Sequence, residues 1–213
     1  PTSDVIITVN LSDAGEASGN SSLTFTSANW DTPQTVTVTG ADDSIIDGTI
    51  TSIATVAVDD ANSDNDFDAV VDQTVSVDTT DDDVAGFTIV ELDGATEVDE
   101  SGSTDTFTVV LDAQPETDVV LDISTDDETE VSVTSSLTFT TNNWDTAQTV
   151  TVTGVDDFLV DGTVDTTITI SINVASSNPD FAFTSPKTVT SSTIDDDVPG
   201  YTVTESNNET IVE

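Results

Sequence analysis

The chain repeats itself at a domain-sized period. LTFTSANWDTPQTVTVTGADDSIIDGT at 23–49 returns as LTFTTNNWDTAQTVTVTGVDDFLVDGT at 137–163. The offset is 114 residues, the distance from Trp30 to Trp144, and it holds without a gap along the whole chain. Pro1 falls on Pro115, Asp4 on Asp118, Gly40 on Gly154, Gly86 on Gly200 and Glu91 on Glu205. A fixed period means that each copy is one folding unit, and a unit of this size can bury a core of its own. The register gives a partial unit at 1–83, a complete one at 84–197 and, at 198–213, the first strand of a third. The links DDDVAG and DDDVPG contain no flexible Gly/Ser tract. Links this short predict neighbouring domains set end to end, and Pro199 stiffens the second link further.

Within each copy the apolar residues alternate. Val5, Ile7 and Val9 share one face of DVIITV, and Phe107, Val109 and Leu111 share one face of TDTFTVVLD, the period-two pattern of a half-buried strand. Strands are predicted at 4–9, 23–26, 35–40, 50–58 and 73–77, with Val36 and Val38 facing inward. The complete unit adds 86–91, 104–112, 118–124, 136–140, 148–154, 164–174 and 186–193. No stretch reads as helix. Seven or eight short strands separated by turn-rich loops point to an all-β fold, tandem Ig-like antiparallel β-sandwiches.

Charge narrows the function. The formal net charge is −42, with 43 acidic residues against one basic residue, Lys187. Nucleic acid and anionic membranes both recruit cations, so neither is a partner for this chain. No apolar run is long enough to span a bilayer, which excludes direct membrane insertion. His and Cys are absent, leaving carboxylates and backbone oxygens as the strong metal ligands. Paired carboxylates serve glycosidases, but every motif recurs per domain and no aromatic-lined cleft is signalled, so the chain does not read as an enzyme.

The two copies act as an internal control on the acids. Asp60, Asp64, Asp68, Asp72, Asp78 and Asp93 become Val174, Asn178, Ala182, Pro186, Ser192 and Asn207, and read as general surface charge. Asp42/Asp156, Asp43/Asp157, Asp47/Asp161, Asp13/Asp127, Glu16/Glu130 and the runs 81–83 and 195–197 keep their chemistry. The retained acids gather in the loop after TVTVTG and at the end of the last strand, which can share one pole of a sandwich. Two carboxylates about 5 Å apart repel by roughly 3 kcal/mol at an effective dielectric near 20. Ca²⁺, which takes six to eight oxygen ligands in flexible geometry, is the natural counter-ion, ahead of the stricter Mg²⁺. The run DANSD at 60–64 is no EF-hand, since Asn65 and Val71 stand where Gly and Glu are needed.

VDESGSTDTFTVVLDAQPETDVVLDIS, then LTFTTNNWDTAQTVTVTGVDDFLVDG and IDDDVPG, resemble the Calx-β domain in the form repeated in giant bacterial surface adhesins. The resemblance implies a calcium site at the domain's C-terminal pole. It falls here on Glu100, on Asp127 or Glu130, on Asp156, Asp157 and Asp161, and on Asp195, Asp196 and Asp197. In the partial copy it falls on Asp42, Asp43, Asp47, Asp81, Asp82 and Asp83, with Asp13 or Glu16. The exchanger form of the domain carries further glutamates where this chain has Phe158, Leu159 and Val160, which implies fewer ions per junction. The function implied is a Ca²⁺-rigidified extender of a secreted adhesin or surface filament. Its partners would be neighbouring repeats, with lateral or filament association, and its location extracellular. Two alternatives stay open. One is an acidic spacer without metal. The other is a glycan-binding module using Trp30 and Trp144, residues that otherwise read as caps on the sandwich core.

Overall fold

The computed structural model describes residues 1–19 and 21–204. Asn20, Glu205 and the remainder of the third-repeat opening lie outside the described residues. The chain forms two compact units, Pro1–Val84 and one beginning at Ala85.

Unit 1 contains β1 (Val5–Leu11), β2 (Ala17–Gly19), β3 (Ser22–Phe25), β4 (Val38–Gly40), β5 (Ile50–Val58) and β6 (Gln73–Thr79). One sheet runs β3-β1-β5-β6, and β2 pairs with β4 alone. Unit 2 contains β7 (Phe87–Glu91), β8 (Thr96–Asp99), β9 (Thr104–Leu111), β10 (Val119–Thr125), β11 (Val131–Val133), β12 (Ser136–Phe139), β13 (Gln148–Gly154), β14 (Val164–Ile172) and β15 (Lys187–Ile194). Its sheets run β12-β10-β14-β15-β8 and β11-β13-β9-β7.

The alternation read from sequence builds the unit 2 core. Val119 and Leu121 from β10 and Ile168 and Ile170 from β14 are buried on one sheet. Phe107 and Val109 from β9 and Val150 and Val152 from β13 are buried on the other. The fold is an antiparallel β-sandwich with one exception, since β8 runs parallel to β15. β8 and β11 are too short for a periodic signal, so the complete unit holds more strands than the alternation predicts.

Three expectations are corrected. The strand predicted at 35–40 shrinks to Val38–Gly40, and Val36 and Val38 are only half-buried. In unit 2 the matching strand β13 is paired along 148–153 with β9. Among the described residues β4 pairs with β2, whereas β13 pairs with both β11 and β9. Second, short 3-10 turns occur at Asn65–Phe67, Leu92–Gly94 and Pro179–Phe183. Third, Asp64 is not surface charge. It is buried, caps the first of these turns through Asp66 N, and also accepts from Thr2 N at 2.6 Å and Ser3 N at 3.0 Å. Those backbone donors, Ser3 foremost, hold its carboxyl far below the usual range. Asn178 does the same work in unit 2, accepting from Asp180 N at 2.9 Å. What the two copies retain there is a side-chain acceptor, not a charge.

Trp144 is half-buried and its carbonyl accepts from Leu111 N at 3.1 Å. Trp30, expected as a core cap, is 61% exposed.

Candidate metal centre

Three local features bring acids to one end of unit 2. Glu100 follows β8, and its N–H extends the pairing with β15 by bonding Ile194 O at 3.1 Å. That sets Glu100 beside the run Asp195, Asp196, Asp197. Glu130 precedes β11, and its carbonyl accepts from Val155 N at 2.9 Å, which ties it to the start of the loop carrying Asp156, Asp157 and Asp161. That loop closes at Gly162, whose φ of 79° suits glycine and whose N–H bonds Asp195 Oδ2 at 2.9 Å.

Gly154 is what lets these pieces meet. A Cβ at that position would lie 2.0 Å from Asp99 O, so only a glycine allows the end of β13 to press against the residue before Glu100.

The resulting oxygens form overlapping sets. Carboxylate oxygens of Glu100, Asp157 and Asp197 lie within 4.8 Å of one another, as do those of Glu100, Asp161 and Asp195, and those of Glu130, Asp157 and Asp161. Ca²⁺ with ligands at about 2.3–2.6 Å spans oxygens up to about 5 Å apart. Glu100 is 1% exposed, and neither of its carboxylate oxygens has a hydrogen-bond partner among the described residues. Glu130 Oε2 and Asp197 Oδ2 are orphaned likewise. A buried acceptor without a donor costs its full desolvation, and a hard cation is the group that satisfies several such acceptors together. The donor set therefore fits Ca²⁺.

The electrostatics carry the same mark. Burial, reinforced by Asp195, Asp157, Asp161 and Glu130, pushes the Glu100 carboxyl up to about 7. Burial also raises Glu130 and Asp197. Asp195 goes the other way, held low by the Gly162 N–H.

The remaining sequence-derived residues divide. Asp127 turns its carboxylate onto Thr129, accepting from its N–H at 2.9 Å and its hydroxyl at 2.5 Å, and is held low by that hydroxyl. Of Asp127 and Glu130, it is Glu130 that joins the acidic sets. Asp156 and Asp196 are exposed and outside them.

Unit 1 has a reduced version. Glu16, Asp43 and Asp47 bring oxygens within 4.8 Å of one another. They line a cavity of about 20 Å³ together with Asp42, Asp81, Asp82 and Asp83, which is roughly the room of one water-sized sphere. Asp81 accepts from Gly48 N at 2.9 Å and Asp47 N at 3.1 Å and is held low by the Gly48 donor. Asp13 accepts from Gly15 N at 2.9 Å, the same self-capped turn as Asp127. The position of Glu100 has no counterpart within this unit, because it falls before Pro1 in the register.

Sequence reasoning missed Gly154 as a packing requirement of the site. Its recurrence as Gly40 was the available signal, though Gly40 meets only Thr79 Cγ2 at 3.5 Å.

No protein-family profile matches the chain, and no curated protein does. Among solved structures it is similar to domains 4 and 5 of the S-layer protein SbsC, at 18% identity and TM-score 0.41, over 88% of this chain and 70% of that one. It is similar to the apo-form Calx CBD1 domain at 17% identity and TM-score 0.36, over 52% of this chain and 98% of that one. A third likeness is to CBD12 from CALX1.2, at 15% identity and TM-score 0.36, over 80% and 68% of the two chains.

Proposed function

We propose that the chain is a stretch of Ca²⁺-rigidified extender repeats from a secreted adhesin or surface filament protein, with a mechanical rather than catalytic role. The observation that carries this reading is Glu100, a buried carboxylate with both oxygens unpartnered, set against Asp157, Asp161, Asp195 and Asp197. In unit 2, Glu100, Glu130, Asp157, Asp161, Asp195 and Asp197 hold the ion. When bound, it neutralises the mutual repulsion of these groups. The run 195–197 is also the backbone that leaves unit 2, so ligation by Asp195 and Asp197 fixes the direction of the exit. Repeated along an array, that effect turns a chain with acidic joints into a rod. Sites of this kind in extracellular modules work at about 10⁻⁴ to 10⁻³ M, which matches a location outside the cell.

Small-angle X-ray scattering at fixed high ionic strength tests the reading. A longer, stiffer particle with Ca²⁺ than with matched Na⁺ supports it, and superimposable profiles contradict it. A second reading, an acidic spacer without metal, draws on the backbone donors that already cap Asp81, Asp127 and Asp195. Superimposable profiles with full folding in chelator favour that one.

A further inference from the structure

Behind the acidic pole, the interior of unit 2 turns polar. Thr96, Thr166, Ser191 and Thr193 are all buried, while Val98, Ile168 and Val189, the neighbouring buried residues of the same strands, are apolar. Three of the hydroxyl residues form a row across adjacent strands. Thr166 of β14 pairs with Ser191 of β15, and Ser191 pairs in turn with Thr96 of β8. Thr193 stands two residues further along β15 on the same face, on the side toward Ile194 and Glu100.

Thr96 is satisfied, since its hydroxyl donates to Glu91 Oε2 at 3.2 Å. The hydroxyls of Thr166, Ser191 and Thr193 have no hydrogen-bond partner among the described residues. The backbone of β15 is already engaged, because that strand is paired on both sides over 191–193. A buried polar group left unpaired costs its full desolvation, and native interiors hold few such groups without a bound water or ion. The feature recurs in the other copy. Ser52, one period before Thr166, is also fully buried with an unpartnered hydroxyl, although its cross-strand partner there is Val77.

The row also leaves space. Thr166 and Ser191 are shorter than Ile168 and Val189, the next buried pair on the same two strands, so carbon fills this layer less completely. Thr and Ser bring no charge to hold a cation against its own hydration. Water suits them better, because each hydroxyl both donates and accepts, and a buried water makes about three hydrogen bonds to groups of this kind.

We propose that Thr166, Ser191 and Thr193 form an internal water site in unit 2, holding at least one long-lived water behind Glu100. The site needs no metal, so it stands or falls separately from the calcium reading.

Relaxation dispersion of ¹⁷O water, measured on the full chain in chelator, tests it, because it detects waters of long residence and is blind to exchanging hydroxyl protons. The wild type is expected to show a dispersion whose amplitude falls by at least one water in Thr166→Val/Ser191→Val/Thr193→Val. Valine is nearly isosteric with threonine, and unit 1 already carries Val77 at the position of Ser191, so the variant retains the wild-type strand signal in circular dichroism. Thr166→Val alone leaves the water a partner short and is expected to lower the melting temperature, whereas in a dry row it removes an unpaired hydroxyl and raises it. An amplitude unchanged in the triple variant overturns the proposal. So does a Thr166→Val chain that melts at or above the wild-type temperature.

Discussion

The backbone N–H of Glu100 donates to the carbonyl oxygen of Ile194 at 3.1 Å. One hydrogen bond beyond the β8–β15 ladder thus fixes a buried carboxylate beside the acidic run at 195–197. Burial keeps the Glu100 carboxyl near 7, against an ordinary value of 4.5. In that window the folded protein holds a proton that the unfolded chain has released. Its stabilising effect is complete below 4.5 and is lost as pH rises through about 7. Thermal unfolding of the chain in chelator across this range is expected to show unit 2 losing stability with rising pH. Glu100→Gln flattens that loss, and parallel profiles for the two proteins count against the assignment.

Gly154 and Gly40 offer a matched pair. A Cβ at 154 meets Asp99 O at 2.0 Å, whereas at 40 it meets only Thr79 Cγ2 at 3.5 Å. Gly154→Ala is expected to cost about 3 kcal/mol, near the upper end for single substitutions, and to displace Glu100 from its neighbours. Gly40→Ala stays within about 1 kcal/mol. Denaturant melts of the two variants decide it, and equal costs contradict the packing account.

Asp64 and Asn178 are the capping acceptors of their turns. Asp64→Asn keeps one oxygen to cap Asp66 N but sets an amide NH2 against the Thr2 and Ser3 donors that Oδ2 accepts, so it destabilises unit 1 in part, whereas Asp64→Ala strips Thr2, Ser3 and Asp66 alike and destabilises it more. Hydrogen exchange at the amides of residues 2, 3 and 66 is the direct measure. Faster exchange in the Asn variant than in the Ala variant contradicts the assignment.

Phe139 is fully buried, and its counterpart Phe25 is half-buried and lines an open apolar cavity of about 240 Å³ in unit 1. Phe139→Ala is expected to cost about 3–5 kcal/mol. Phe25→Ala costs clearly less, because one side of that ring already lacks packing atoms. Urea melts that resolve the two units test the ordering.

Much of this was legible in the sequence, for identifiable reasons. Alternation located strands such as β9 and β14, where Phe107, Val109, Ile168 and Ile170 all turn inward. Comparison of the copies picked out Asp157, Asp161, Asp195 and Asp197. Glu100 has no second copy within the chain and was reached only through the family resemblance. Asp64 was misread because an Asp-to-Asn exchange looks like lost charge, while the turn needs only an oxygen acceptor. Val36 and Val38 were placed inside because TVTVTG is patterned for a strand paired on both sides, as β13 is, whereas among the described residues β4 pairs with β2 alone. The parallel pairing of β8 with β15 left no trace, since four residues cannot announce a direction.

In the proposed function the pole of unit 2 binds Ca²⁺ through Glu100 and its neighbours. Thermal unfolding at fixed high ionic strength, with Ca²⁺ against matched Na⁺, tests it most directly in the wild type and in Glu100→Gln/Asp157→Asn. A rise in melting temperature specific to Ca²⁺ is expected in the wild type and is lost in the double variant. A wild type that melts identically in both ions, or a double variant that keeps the full rise, contradicts it.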